Sequence, residues 1–171
     1  MQKMTSAYAN KMIKSLEEDK EFLLNKEDTS STYVVANNEE PVIPENDYIE
    51  VAKAIAEIDD KITIIKHALN LANATSKVMV CDVEMSVDTI LIKMAQLNRR
   101  KNILDIMRKR LPKAREAAQS YGSRNSVPEY RYINYDLDLI KKEYETVSNM
   151  IMEMQMALDK YNHTVQFEVN L

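Results

Sequence analysis

Glycine occurs once in this chain of 171 residues, at Gly122, proline four times, and tryptophan not at all. All-β folds spend glycine and proline on turns, and helices exclude both from their interiors, so the scarcity predicts a mainly α protein. A single glycine also excludes a glycine-rich phosphate loop. The lone cysteine, Cys81, cannot form an internal disulfide; it reads as a small buried hydrophobe in a reducing compartment. No stretch approaches the roughly eighteen uncharged apolar residues of a membrane span. The opening segment "MQKMTSAYANKMIKSLEEDK" has charges at Lys3, Lys11 and Lys14 where a secretory signal needs an apolar run. The expectation is a cytoplasmic protein without a membrane span.

Catalytic chemistry is equally sparse. His67 and His163 are the only histidines, and they are far apart in sequence. Asp159 and His163, spaced i, i+4, read as residues of a helix end before a metal pair. Asp59 and Asp60 read as a solvated face, Asp136 and Asp138 as a helix N-terminus. No catalytic, cofactor-binding or metal-ligating set emerges, and no small-molecule substrate is implied. The chain reads as a non-enzyme without a cofactor.

What is present is helical periodicity. One domain, 1–171, is expected, with helices at about 6–25, 47–74, 87–111 and 136–162. Thr5 or Ser6, Asn46 or Asp47, and Ser86 are candidate N-caps, and Pro112 stops the third helix. In the second helix Tyr48, Val51, Ile55, Ile58, Ile62, Ile65, Leu69 and Ala72 step alternately by three and four. In the fourth, Leu137, Ile140, Tyr144, Val147, Ile151, Met154, Leu158 and Tyr161 do the same. Such unbroken heptad seams want long partners, so these two helices are natural mates for each other or for copies in a second chain. Met150, Met152, Met154 and Met156 put apolar surface on two sides of the fourth helix, as burial among several helices requires. Short β-like pieces lie at 32–36, 77–82, 129–134 and 165–170, the last two alternating like half-buried strands. The predicted fold is an antiparallel four-helix, coiled-coil-like bundle with short strands at one end. "QSYGSRNSVPE" reads as a mobile loop.

The formal net charge is -4, yet Lys93 to Arg115 holds nine cations against one carboxylate, Asp105; that local +8 leaves -12 for the rest. Arg99, Arg100, Lys101, Arg108, Lys109 and Arg110 form the densest part. They read first as partners for acidic surface. Lys101 interrupts the stripe between Leu97 and Leu104, as Asp19 interrupts that of the acidic first helix, so these two are expected to meet, within or between chains. Arg99 and Arg100 then face solvent or a subunit interface, and Arg108 to Arg110 complement the helix dipole. The second reading is a patch for nucleic acid or another polyanion. Against it, no aromatic residue interleaves with cations between Lys93 and Arg115.

The segments "LNLANAT", "DTILIKMAQLNRRKNIL" and "EYRYINYDLDLIKKEYETVSNMIMEMQMALDKYNH", followed by a short C-terminal strand, resemble the small bacterial and phage-borne helical family known as septicolysin, from about Ala54 to the end. Asn70 and Asn73 match the family's paired asparagines, Arg131 its arginine before the last helix, and Asn162 the asparagine ending that helix. His163 stands where many members have tryptophan. The resemblance implies a coiled-coil bundle, with Asn70, Asn73 and Asn162 as register or capping residues, and the family name carries membrane lysis as a remote third reading. The leading expectation is a self-associating homo-oligomer with a structural or scaffolding role.

Overall fold

Three of the four long helices begin at a side chain that takes up their free N–H groups. Thr5 Oγ1 accepts from Tyr8 N at 3.3 Å, Asp47 from Ile49 and Glu50 N at 3.0 and 3.1 Å, and Asp136 from Asp138 and Leu139 N at 2.8 and 3.2 Å. Ser86 sits in the remaining N-cap position, but its hydroxyl donates to Asp88, whose carboxylate accepts from Thr89 N. The computed structural model describes residues 1–45, 47–116 and 127–171. Its elements are β1 (Gln2–Thr5), α1 (Ser6–Ser30), α2 (Tyr48–Thr75), β2 (Lys77–Val80), β3 (Val83–Ser86), α3 (Val87–Arg108), β4 (Lys113–Arg115), β5 (Tyr130–Tyr132), α4 (Leu137–Thr164) and β6 (Gln166–Val169). The protein is mainly helical, and among the described residues there are three two-stranded pairings: β1 with β6, β2 with β3, and β4 with β5.

The chain divides into two compact units, Met1–Val78 with Ala157–Leu171, and Met79–Met156. In the first, Met4, Ala9, Ile13, Ile62, Ile65 and Val169 form the buried core, with Met12, Leu16, Ile58 and Phe167 against it. The antiparallel β1–β6 register sets Met4 opposite Phe167 and Lys3 opposite Glu168, so alternate residues face the core and the water. Glu17 pairs with Lys66 at 2.9 Å and Asp59 with Lys20 at 2.7 Å, so contacts along α1 and α2 run in opposite order and the helices are antiparallel. In the second unit Leu104, Ile140 and Val147 are the buried core, joined by Leu97, Met107, Tyr135, Tyr144 and Ile151. Arg100–Glu143 and Met107–Tyr135 contacts show α3 and α4 antiparallel as well.

The two halves of the sequence follow one plan. A strand ends in a buried methionine, Met4 or Met85, then Thr5 or Ser86 at the N-cap, then a helix whose fourth residue, Ala9 or Ile90, is fully buried. The second helix of each half has 28 residues and an aspartate N-cap. Each ends with a threonine hydroxyl donating four residues back, Thr75 to Leu71 O and Thr164 to Lys160 O, and leads into a strand closing on a buried valine, Val80 or Val169.

Several sequence expectations change. The segment 32–36 is exposed coil, with Val34 fully exposed: its residues favour a strand, but β-propensity expresses packing against a neighbour, and none of the strand pairings includes it. The piece at 77–82 breaks at Cys81 and Asp82, which take positive φ of 49° and 59° and turn β2 into β3. Cys81 is therefore exposed and not a buried hydrophobe. α1 continues to Ser30, where Thr29 and Ser30 hydroxyls donate to Asn25 and Lys26 carbonyls, whereas α3 stops at Arg108. Most of "QSYGSRNSVPE" and the alternative cap Asn46 lie outside the described residues.

Candidate functional site

The central part of each heptad seam packs on the helix that precedes it in the chain. Ile58, Ile62 and Ile65 pack with Ala9, Met12, Ile13 and Leu16 of α1, and Ile140, Tyr144, Val147 and Ile151 pack with Leu97, Leu104 and Met107 of α3. Ile55, Leu69 and Leu137 are half-buried on the same stripes, while Met154 and Leu158 are buried. Within each unit the two helices thus form an antiparallel hairpin, the pairing that closes the shorter chain segment.

The basic patch separates into neutralised and free members. Arg100 pairs with Glu143 at 2.7 Å. Arg108 and Lys109 share the Asp105 carboxylate, which their hydrogen bonds, Lys109's first, hold below the usual carboxylate range. Lys101 Nζ lies 5.6 Å from the centroid of the Tyr144 ring, and Arg108 lies 4.0 Å from the same centroid. Lys101, expected to meet Asp19 within or between chains, makes an aromatic contact within its own unit, where the slot between Leu97 and Leu104 faces the α4 stripe and Tyr144 offers a π-face to a cation. Among the described residues no carboxylate pairs with Arg99, Arg110, Lys113 or Arg115.

The tyrosines that alternate in "EYRYINY" do not form the buried face of a strand. Tyr130 is 45% exposed and Tyr132 63%. β4 and β5 pair antiparallel, with Lys113 opposite Tyr132, Ala114 opposite Arg131 and Arg115 opposite Tyr130. Side chains directly opposite share a face, so one face of this ribbon carries Lys113, Arg115, Tyr130 and Tyr132 together. Lys113 Nζ lies 4.2 Å and 5.5 Å from the two ring centroids. On the other face Arg131 pairs with Glu116 at 2.6 Å and borders a cleft of about 450 Å³ that also takes in Arg110, Asn134 and Tyr135. Sequence reasoning missed this grouping. Its signal was the basic stretch ending at Arg115 and the tyrosine alternation, two segments that only strand pairing brings side by side.

The three asparagines expected to set register or cap lie within α2 and α4. Asn70 is exposed, and Asn162 lies before the helix end, which Thr164 closes. Asn73 Oδ1 is buried without a hydrogen-bond partner. Cys81 Sγ donates to Glu153 Oε2 at 3.1 Å, and this bond, followed by desolvation, raises the thiol above its ordinary pKa, away from the thiolate. Among the described residues no three His, Cys, Asp or Glu side chains are grouped to hold a metal, and no helix is long and apolar enough to cross a membrane.

No family model and no curated protein matches the sequence. One solved structure resembles the chain, a conserved protein of unknown function from Corynebacterium diphtheriae. It has a TM-score of 0.65 at 13% identity, over 98% of this chain and 100% of that one, a likeness of fold alone.

Proposed function

We propose that the protein is a non-enzymatic, self-associating helical component of an assembly, its hairpins acting as coiled-coil-like arms of a four-helix bundle completed within or between chains. The observation that carries this reading is the outer face of α3. Ile92, Ile103 and Ile106 are 58%, 49% and 53% exposed. At helical spacing they share one face with Arg99, a cation without a carboxylate partner among the described residues. Exposed apolar residues flanked by unspent charge suit a protein partner. The exposed carboxylates Glu18, Asp19 and Glu21 beside the exposed Phe22 of α1 offer the complementary chemistry in a second copy. On this reading the septicolysin-like resemblance reflects architecture and a cytoplasmic scaffold, not lysis.

The test is solution mass by light scattering at low and high salt, with the wild type and the Ile103→Lys, Ile106→Lys double variant. A defined oligomer that the variant reduces to single chains is expected. A wild type that stays at one chain's mass at every concentration sinks the proposal.

A further inference from the structure

The end of the second hairpin combines three features. The first is charge. Over 105–116 and 127–135, Arg108, Lys109, Arg110, Lys113, Arg115 and Arg131 stand against Asp105, Glu116 and Glu129, a balance of +3 in a chain of net charge -4. The second is availability: Lys113 and Arg115 have no carboxylate partner among the described residues, whereas Arg100 and Arg108 are engaged. The third is aromatic surface on the same face, since the register places Tyr132 across from Lys113 and Tyr130 across from Arg115, both rings open to solvent.

Spacing then selects the ligand. Residues two apart on a strand are separated by about 7 Å, roughly twice the 3.4 Å rise between stacked bases along one strand of a duplex. Two rings so placed accept bases of an extended, unstacked strand and mismatch those of a stacked helix. Lys113 lies over the Tyr130 ring and within cation–π distance of Tyr132, so a base stacking on Tyr130 displaces its ammonium toward the adjoining phosphate, which it can then contact. We infer that the Lys113/Arg115/Tyr130/Tyr132 face of the β4–β5 ribbon binds single-stranded nucleic acid, two successive bases stacking on Tyr130 and Tyr132 while Lys113 and Arg115 contact the backbone. The contact reads no sequence, because every base offers a π-face, and it makes no use of the outer face of α3 that carries the association proposal.

Fluorescence anisotropy of the full chain with a labelled twelve-nucleotide oligouridylate, in a salt titration from 25 mM, tests this. Binding is expected, weakening with salt and favouring the single strand over a duplex of the same length. Tyr130→Ala with Tyr132→Ala should lower affinity by about tenfold or more, and the corresponding phenylalanine pair should retain it. Lys113→Gln with Arg115→Gln should flatten the slope of log affinity against log salt by about 1.4, at about 0.7 per lost contact. All four side chains are exposed, so folding is preserved, and circular dichroism checks it. The inference is overturned by no binding at 25 mM salt, by duplex bound as tightly as the single strand, or by unchanged affinity in the tyrosine-to-alanine pair. Loss of binding from Arg99→Gln with Arg100→Gln, as complete as from the ribbon variants, would move the site to α3 and equally overturn it.

Discussion

The Arg108 guanidinium stands 4.0 Å from the centroid of the Tyr144 ring, and Lys101 approaches the same ring at 5.6 Å. An aromatic residue at a seam position thereby turns an interrupted apolar stripe into a packed one, because a π-face accepts a cation where an aliphatic knob would not. Tyr144→Leu keeps apolar volume but removes the quadrupole, and should cost about 1 kcal/mol in urea unfolding. Lys101→Leu completes the stripe between Leu97 and Leu104 and should be neutral or stabilising; a loss beyond about 2 kcal/mol would show that the contact with Tyr144 outweighs apolar continuity.

Leu104 and Ile106 are two residues apart on α3 and have opposite fates. Leu104 is fully buried and Ile106 is 53% exposed. Leu104→Ala should cost about 2–5 kcal/mol through lost transfer energy and a cavity. Ile106→Ala should change the stability of the single chain by less than about 0.5 kcal/mol, since little of its surface is withdrawn from water. Equal costs in chemical denaturation would place the core of the hairpin wrongly.

Acid should loosen the second unit. Asp105 is held below the usual carboxylate range by hydrogen bonds from Lys109 and then Arg108, and Asp88 by the Ser86 hydroxyl and then the Thr89 amide. A carboxylate whose folded pKa is depressed stabilises the fold above its unfolded pKa, and that contribution is lost as pH falls through the folded value. Melting temperature should therefore decline below about pH 4, and the Asp105→Asn, Asp88→Asn variant should decline less steeply there. Parallel curves for the two proteins would remove these carboxylates from the account.

The β2–β3 turn carries a conformational cost. Asp82 has φ 59° without being glycine, and an L-residue pays about 1–2 kcal/mol in that region, aspartate at the lower end. Asp82→Gly should raise stability by about 0.5–1 kcal/mol, measured by urea denaturation, since glycine occupies the left-handed region freely. A destabilised variant would mean that the aspartate side chain supports the turn.

Cys81 should react slowly with iodoacetamide although it is exposed, because Glu153 accepts a hydrogen bond from its thiol and raises its pKa. Glu153→Gln removes the charge that opposes ionisation. Alkylation at pH 8 should then accelerate several-fold, followed by mass spectrometry.

The amino-acid sequence by itself determined the helices of this protein, because what specifies them is local. The three-and-four stepping of Ile58, Ile62 and Ile65, the acceptors at Thr5, Asp47 and Asp136, and the scarcity of glycine act within a few turns of chain, and each element lies close to where its residues predict. The alternation of Phe167 and Val169 likewise marked β6, whereas β1 and β3 directly adjoin helices whose periodicity overrides any strand signal. Tertiary structure alone decided which surfaces meet. The heptad stepping of α2 and α4 names no partner, and within each unit the packing of Ile62 and Ile65 on α1 and of Ile140 and Val147 on α3 supplies one. The charge of Lys101 calls for a carboxylate or a π-face, and packing within its unit supplies the ring of Tyr144. The gathering of Lys113 and Arg115 with Tyr130 and Tyr132 follows from a strand register between segments far apart in sequence, a non-local hydrogen-bond pattern that no period in either segment records.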